Sequence, residues 1–275
     1  MTRTTRKLLG IAALLAAVCI VVSAGCISSP NEHQTLSLAG STTVLPVAQS
    51  AAEAYMNTHA NADIQISGGG SGVGVTAAKE KTADIGMLSR DLKTSEKTTA
   101  DFKEFVIGRD GIAIVGHPSN TVNALTTEQI RNIYLGTITN WKEVGGADMD
   151  IVLIGRDSAS GTRDFFTESV LNKQDAAKTM QEFNSNGAVA TAVAQTPGAI
   201  GYLSLEYLTD SLKAFTVDGV APSIAAVLDG TYTINRPLLM ITNGEPTGLA
   251  KEFLTYILSD AGQKIIEEKG FIPAA

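Results

Sequence analysis

The chain has 275 residues, 44% of them hydrophobic, which is enough to bury a core of one or two domains. Its 21 Lys+Arg against 28 Asp+Glu give a formal charge of −7, an acidic balance that argues against a nucleic-acid partner. The two cysteines and three histidines fall in no metal-ligating pattern, so neither a metal site nor a bound cofactor is expected.

Arg3, Arg6 and Lys7 precede the 17 uncharged residues 8–24, and Ser23-Ala24-Gly25-Cys26 follows. A basic head, an apolar middle and small residues before a cut site describe an export signal over residues 1–26. Cys26 directly after Ala-Gly is similar to a lipoprotein processing site, although Ser23 stands where a bulkier residue is usual. Cys26 would then become the lipid-modified N-terminus; the alternative is a retained membrane-spanning anchor. Either way the remainder is expected outside the cytoplasm, at the outer face of the cytoplasmic membrane. Residues 27–35 read as a polar tether. Cys19 and Cys26 both lie in the signal, so the folded part has no disulfide or thiol chemistry. Without Arg3, Arg6 and Lys7 it carries 18 basic against 28 acidic residues, a formal charge of −10.

Residues 36–39 alternate as a strand, and Gly40-Ser41-Thr42-Thr43 turns into a helix with Pro46 in its first turn, running to Tyr55. Residues 64–66 form a second strand, which enters the glycine-rich run 67–75 ahead of helix-favouring residues 76–80. The run lacks a Gly-Lys-Ser/Thr ending and the dinucleotide glycine spacing, so nucleotide binding is set aside. Residues 83–92 give a short strand leading to the polar turn Ser89-Arg90-Asp91, and residues 105–115 give two β segments broken by Gly and Asp. Thr126 to Gln129 is a capped helix start. The apolar run 151–154 empties into Gly155-Arg156-Asp157-Ser158-Ala159-Ser160-Gly161-Thr162-Arg163. There Ser160 or Thr162 can cap a helix over 164–173. Further helices are expected over 174–182 and 248–268, and strands over 199–203 and 237–242. Strands alternating with helices indicate an α/β fold with mainly parallel pairing.

Three hydroxyl- and glycine-rich turns, each between a strand and a helix, suit a ligand held where helix N-termini converge. Free N–H groups, hydroxyls and the planar fork of Arg156 are the chemistry of an oxyanion site. Arg90 and Arg163 sit in the same kind of turn and are candidates for contact or gating. Tyr134 and Trp141 read as packing residues. A hydrolase is the rival reading, but the Gly69–Ser71–Val73 arrangement lacks the last glycine of a nucleophile elbow, and no histidine sits in a motif.

Taken together, Gly40-Ser-Thr-Thr-Val-x-Pro46, Gly70-Ser-Gly-x-Gly74, Ala83-Asp-Ile-Gly86, Ile133-Tyr-Leu-Gly136 with Asn140-Trp141, Arg156 to Thr162, Thr196 to Tyr202 and Asn243 to Gly248 are the motifs that resemble the phosphate-binding component of phosphate ABC transporters. The resemblance covers everything after the tether. It implies a two-lobed periplasmic-binding-protein fold of type II, with one lobe from residues 36–114 plus 238–275 and the other from 115–237, joined by a two-crossing hinge. It also implies a monomer that binds inorganic phosphate without turnover, needs no metal, and hands its ligand to a membrane permease. Thr42, Thr43, Ser71, Arg156, Ser160, Gly161 and Thr162 carry over as ligand groups; Ser41, Ser89, Arg90 and Asp91 complete the expected set. Two positions depart: Arg90 follows Ser89 where the family has aspartate, and Ser158 stands where it has aspartate after the binding arginine. The acceptor for a phosphate proton is then expected at Asp91, with Asp157 the alternative. Sulfate, molybdate or tungstate are the alternative anions, and a phosphatase-like hydrolase is the alternative from another class.

Overall fold

Local chemistry accounts for the starts of most elements in this computed structural model, which describes residues 33–274. The export signal and Cys26 lie outside the described residues. Strand β1 (Gln34–Gly40) begins inside the expected tether and leads to helix α1 (Leu45–Met56), with Pro46 in its first turn. Strand β2 (Ala62–Ser67) leads to helix α2 (Ser71–Glu80), so Gly72 and Gly74 are helical and not part of a loop. A Cβ on Gly74 would lie 2.6 Å from the Met87 carbonyl oxygen, so glycine lets this helix lie directly on the sheet. Strand β3 (Ile85–Leu88) and the short helix α3 (Thr94–Lys97) complete this first part.

Strand β4 (Phe102–Gly116) is one continuous strand of 15 residues where two segments were expected. Its polar interruption, Gly108 to Gly111, stays extended because strand β11 (Asn235–Asn243) pairs with it across that stretch and supplies a partner for Asp110. Strand β5 (Ala124–Leu125) precedes helix α4 (Thr127–Tyr134), which has the expected Thr126/Gln129 capping box. Strand β6 (Val152–Arg156) then delivers the chain to helix α5 (Gly161–Ser169). The helix expected over 174–182 does not form. Asn172 and Lys173 take positive φ, and the chain returns as strand β7 (Gln181–Phe183), captured by parallel pairing with β6.

Helix α6 (Asn186–Gln195) and strand β8 (Ala199–Ser204) follow, then strands β9 (Lys213–Ala214) and β10 (Thr216–Val217) and helix α7 (Ile224–Leu228). The long C-terminal helix is two helices, α8 (Gly248–Ile257) and α9 (Asp260–Glu268), because Ser259 ends one by donating to the Tyr256 carbonyl and caps the next at Gly262. Strand β12 (Ile272–Pro273) pairs with β4.

The main sheet runs β2-β1-β3-β11-β4-β8-β6-β7, with β9 and β12 also on β4. Pairing is mixed, not mainly parallel: β4 and β11 run antiparallel to each other and to their other neighbours in the main sheet. The reason is their role as crossings. Apolar residues gather in two main cores, one around Leu38, Val47, Ile85, Leu238 and Phe253, the other around Ile114, Tyr134, Trp141, Phe166 and Tyr202. Strand β4 gives Ile107 to the first and Ile112 to the second; Leu238 of β11 packs in the first, and Ile234 just before that strand in the second. This is a two-lobed α/β fold with its sheet passing from lobe to lobe.

Candidate functional site

The first and third hydroxyl turns are built by short-range bonds, and the second is tied to the turn after β3. In the first, Ser41 Oγ accepts from the Thr43 and Val44 N–H groups at 3.2 and 3.4 Å. In the second, Ser71 Oγ accepts from the Ser89 N–H at 3.0 Å and lies 3.4 Å from Ser89 Oγ. In the third, Ser160 is the cap, accepting from the Arg163 N–H at 3.2 Å. Helix geometry leaves the N–H groups of Gly161 and Thr162 without intrahelical acceptors. All seven hydroxyl residues of these turns (Ser41, Thr42, Thr43, Ser71, Ser89, Ser160 and Thr162) are buried.

The tertiary fold brings the turns together. A Cβ on Gly161 would sit 2.1 Å from Ser71 Oγ and 3.0 Å from Ser89 Oγ, so the third turn meets the second with no side chain between them. Arg236 joins the third to the first, donating to Thr162 Oγ1 at 2.8 Å and to Thr43 Oγ1 at 3.0 Å. Thr42 Oγ1 is buried, and among the described residues no group is hydrogen-bonded to it.

Arg156 decides the sign of the ligand. It is 1% exposed, and it has no carboxylate within ion-pair distance among the described residues. Nε donates to the Phe183 carbonyl at 3.1 Å, Nη2 to the Asn184 carbonyl at 3.1 Å and Nη1 to Asn186 Oδ1 at 3.4 Å. Those three bonds leave one N–H free on each terminal nitrogen, a fork suited to a tetrahedral oxyanion. Burial pulls the Arg156 guanidinium down to about 10, which records the cost of holding a charge there without a counterion. The other deeply buried arginines are neutralised, Arg236 by Asp110 and Arg90 by Glu96 and Asp164. Arg156 is thus a deeply buried arginine whose charge no described carboxylate pairs.

Arg90 and Asp91, two of the expected ligand groups, are paired or exposed elsewhere. Arg90 spends its guanidinium on Glu96 Oε1 and Oε2, Asp164 Oδ2 and the Asp91 carbonyl. Asp91 is exposed, and both residues line an outer cavity of about 750 Å³ shared with Lys93, Ser158 and Asp164. None of the seven buried hydroxyl residues lines that cavity. Asp157, the alternative acceptor, uses Oδ1 to accept from the Ala159 N–H at 3.2 Å, and Ser158 is exposed. Arg163 pairs with Glu182 at 2.6 Å and donates to the Arg156 carbonyl. Tyr134 and Trp141 are buried packing residues; Tyr134 Oη ties down the Ile154 carbonyl of β6. Sequence reasoning missed Asp110, Arg236, Asn186 and Tyr207. The available signal was a charge beside an apolar run in each of two strands, Asp110 ahead of residues 112–115 in β4 and Arg236 ahead of residues 238–241 in β11.

The cleft is closed. Gly72 N–H donates to the Ala159 carbonyl at 2.9 Å, Tyr207 Oη to the Thr42 carbonyl at 2.9 Å, and Asn186 Nδ2 to Thr43 Oγ1 at 2.9 Å. Asp164 holds the outer edge through Arg90 and Lys93 at 2.8 and 2.9 Å.

Residues 28–261 match the PBP superfamily domain. The phosphate-binding protein PstS of Bacillus subtilis is 39% identical over 244 residues, 87% of this chain and 80% of that protein. The chain belongs to the phosphate-binding protein family. A Clostridium perfringens crystal structure with bound phosphate, assigned as a phosphate ABC transporter substrate-binding protein, superposes with a TM-score of 0.85 at 40% identity. It covers 88% of this chain and all of that one. An ABC-type phosphate transport receptor from Vibrio cholerae gives a TM-score of 0.74 at 34% identity, over 87% of this chain and all of that one. The family and the two-lobed fold expected from the motifs are thereby established.

Proposed function

We propose that this chain is an extracytoplasmic receptor that binds inorganic phosphate between its two lobes and passes it to an ABC permease, without turning it over. The observation that carries the reading is Arg156, a buried cation with two free N–H groups and, among the described residues, no carboxylate partner. We assign Thr42, Thr43, Ser71, Ser89, Arg156, Gly161 and Thr162 to the anion, with Ser41 and Ser160 shaping the turns. The relatives named for phosphate support this anion over sulfate, molybdate or tungstate. Calorimetric titration of the full chain in detergent with these four anions tests it. Phosphate is expected to bind at least tenfold more tightly than the rest; equal or tighter sulfate binding would reassign the ligand. Hydrolysis of a chromogenic phosphate ester would place the chain among enzymes instead.

The lobes are assigned to residues 36–114 plus 238–275 and to residues 115–237, a division supported by the two cores, with Ile112 and Ile114 already packing on the second side. We also propose that the receptor is a monomer tethered at the outer membrane face through lipid on Cys26. Metabolic labelling with a radioactive fatty acid checks the tether. Label is expected on the parent and lost from Cys26→Ser; label retained by that variant would exclude Cys26 as the attachment point.

A further inference from the structure

Arg236 and Asp110 are both buried at the point where β4 and β11 cross between the lobes, directly opposite each other in register. Asp110 Oδ2 accepts from Arg236 Nε at 3.1 Å and Nη2 at 2.8 Å, while Oδ1 accepts from Ser204 Oγ at 2.8 Å. With the Leu205 backbone also hydrogen-bonded to it, the carboxylate is fully occupied and holds the guanidinium in one orientation. What that guanidinium does with its remaining donors goes beyond pairing. Nη1 reaches Thr162 Oγ1, on the α5 turn of the second lobe, and Nη2 reaches Thr43 Oγ1, on the α1 turn of the first.

A hydroxyl oxygen has two lone pairs and one proton to give. At Thr43 both lone pairs are taken, by Arg236 and by Asn186 Nδ2 at 2.9 Å. Its O–H can therefore only donate, and among the described residues no acceptor is hydrogen-bonded to it. Thr162 Oγ1 gives one lone pair to Arg236 and keeps the other, and among the described residues no acceptor is hydrogen-bonded to its O–H. We infer that Arg236 is a positioning residue for anion binding, holding the Thr43 and Thr162 hydroxyls as donors toward the ligand once the lobes close. The inference rests on the anion reading above and deepens it. The alignment spans the hinge and is complete only when both turns lie within reach of Arg236, so closure and ligand affinity are linked through one side chain.

The test is a double-mutant cycle read by phosphate calorimetry on the full chain. Arg236→Lys keeps the charge opposite Asp110, but one ammonium cannot reproduce the planar fork that serves both threonines. It is expected to weaken phosphate binding about tenfold or more while leaving the ligand-free melting temperature near that of the parent. In a Thr43→Val/Thr162→Val background, which removes both hydroxyls, the same substitution is expected to cost less than about threefold. Parent-like affinity of Arg236→Lys, or losses that add in full across the cycle, would overturn the inference and leave Arg236 as a hinge ion pair only. Should Arg236→Lys fail to fold, the uncharged pair Asp110→Asn/Arg236→Gln takes its place with the same two criteria. A parent chain that binds no phosphate would overturn the functional reading beneath, a result distinct from either of these.

Discussion

Replacing Arg156 by methionine is expected to abolish phosphate binding in the micromolar range while leaving the ligand-free protein at least as stable as the parent. The binding loss follows from the fork: two charge-assisted hydrogen bonds contribute about 1.5–3 kcal/mol each, so removing both weakens binding more than about a hundredfold. The stability half follows from burial. Arg156 is held at about 10, down from its ordinary 12.5, so folding disfavours its charged form. At neutral pH the empty site carries that cost, on the order of 3 kcal/mol, and it fades only as the pH rises through about 10. Methionine removes the charge and keeps much of the volume, and exposed Asn184 can give its carbonyl to water. Calorimetry and thermal melts of parent and variant without ligand check both halves. A variant that melts far below the parent and still binds phosphate would make Arg156 a structural residue.

Replacing Gly161 by alanine is expected to cost at least about a hundredfold in phosphate affinity, by a different route. Gly161 has no positive φ and opens helix α5, so the backbone accepts alanine without strain. The new methyl would meet Ser71 Oγ at 2.1 Å, Ser71 Cβ at 2.9 Å and Ser89 Oγ at 3.0 Å. Ser71 is buried and its oxygen is held by the Ser89 N–H, so it has no room to move aside. The clash lies across the cleft, and rotation at the hinge relieves it without disturbing either core. The variant should therefore fold with parent-like ligand-free stability yet fail to close. Small-angle scattering in saturating phosphate is expected to contract the parent and leave the variant extended. Contraction of the variant with full affinity would show that the turns need not touch for binding.

Much of the site was legible because its parts are local. A strand that ends in Ser, Thr and Gly before a helix places hydroxyls and free N–H groups together whatever the rest of the chain does, as at Ser41 to Thr43 and Ser160 to Thr162. Pro46 in the first turn of α1 and the Thr126/Gln129 box at α4 were readable for the same reason. Arg156, the first cation after an apolar run and just ahead of a capped helix, needed only its neighbours to be singled out.

Long-range partners were not legible from spacing. Arg90 looked like a ligand from its turn, but Asp164, 74 residues away, and Glu96 claim it. Segment 174–182 has helical composition, yet its end, Gln181 and Glu182, is drawn into strand β7 by pairing with β6, which outweighs that weak preference. Asp91 and Asp157 are carboxylates near the right motifs, but one faces solvent and the other closes its own turn.

By itself, then, the sequence determined that this protein has three hydroxyl- and glycine-rich turns between strand and helix, with Arg156 ahead of one of them, since each is a property of a few adjacent residues. Only the tertiary structure decided that the turns meet, that Arg156 has no carboxylate partner, and that Arg236 bridges Thr43 and Thr162 from Asp110, 126 residues before it in the chain. A buried charge acquires its role from whichever groups packing places within about 3 Å of it, and in this chain those groups come from distant strands and turns.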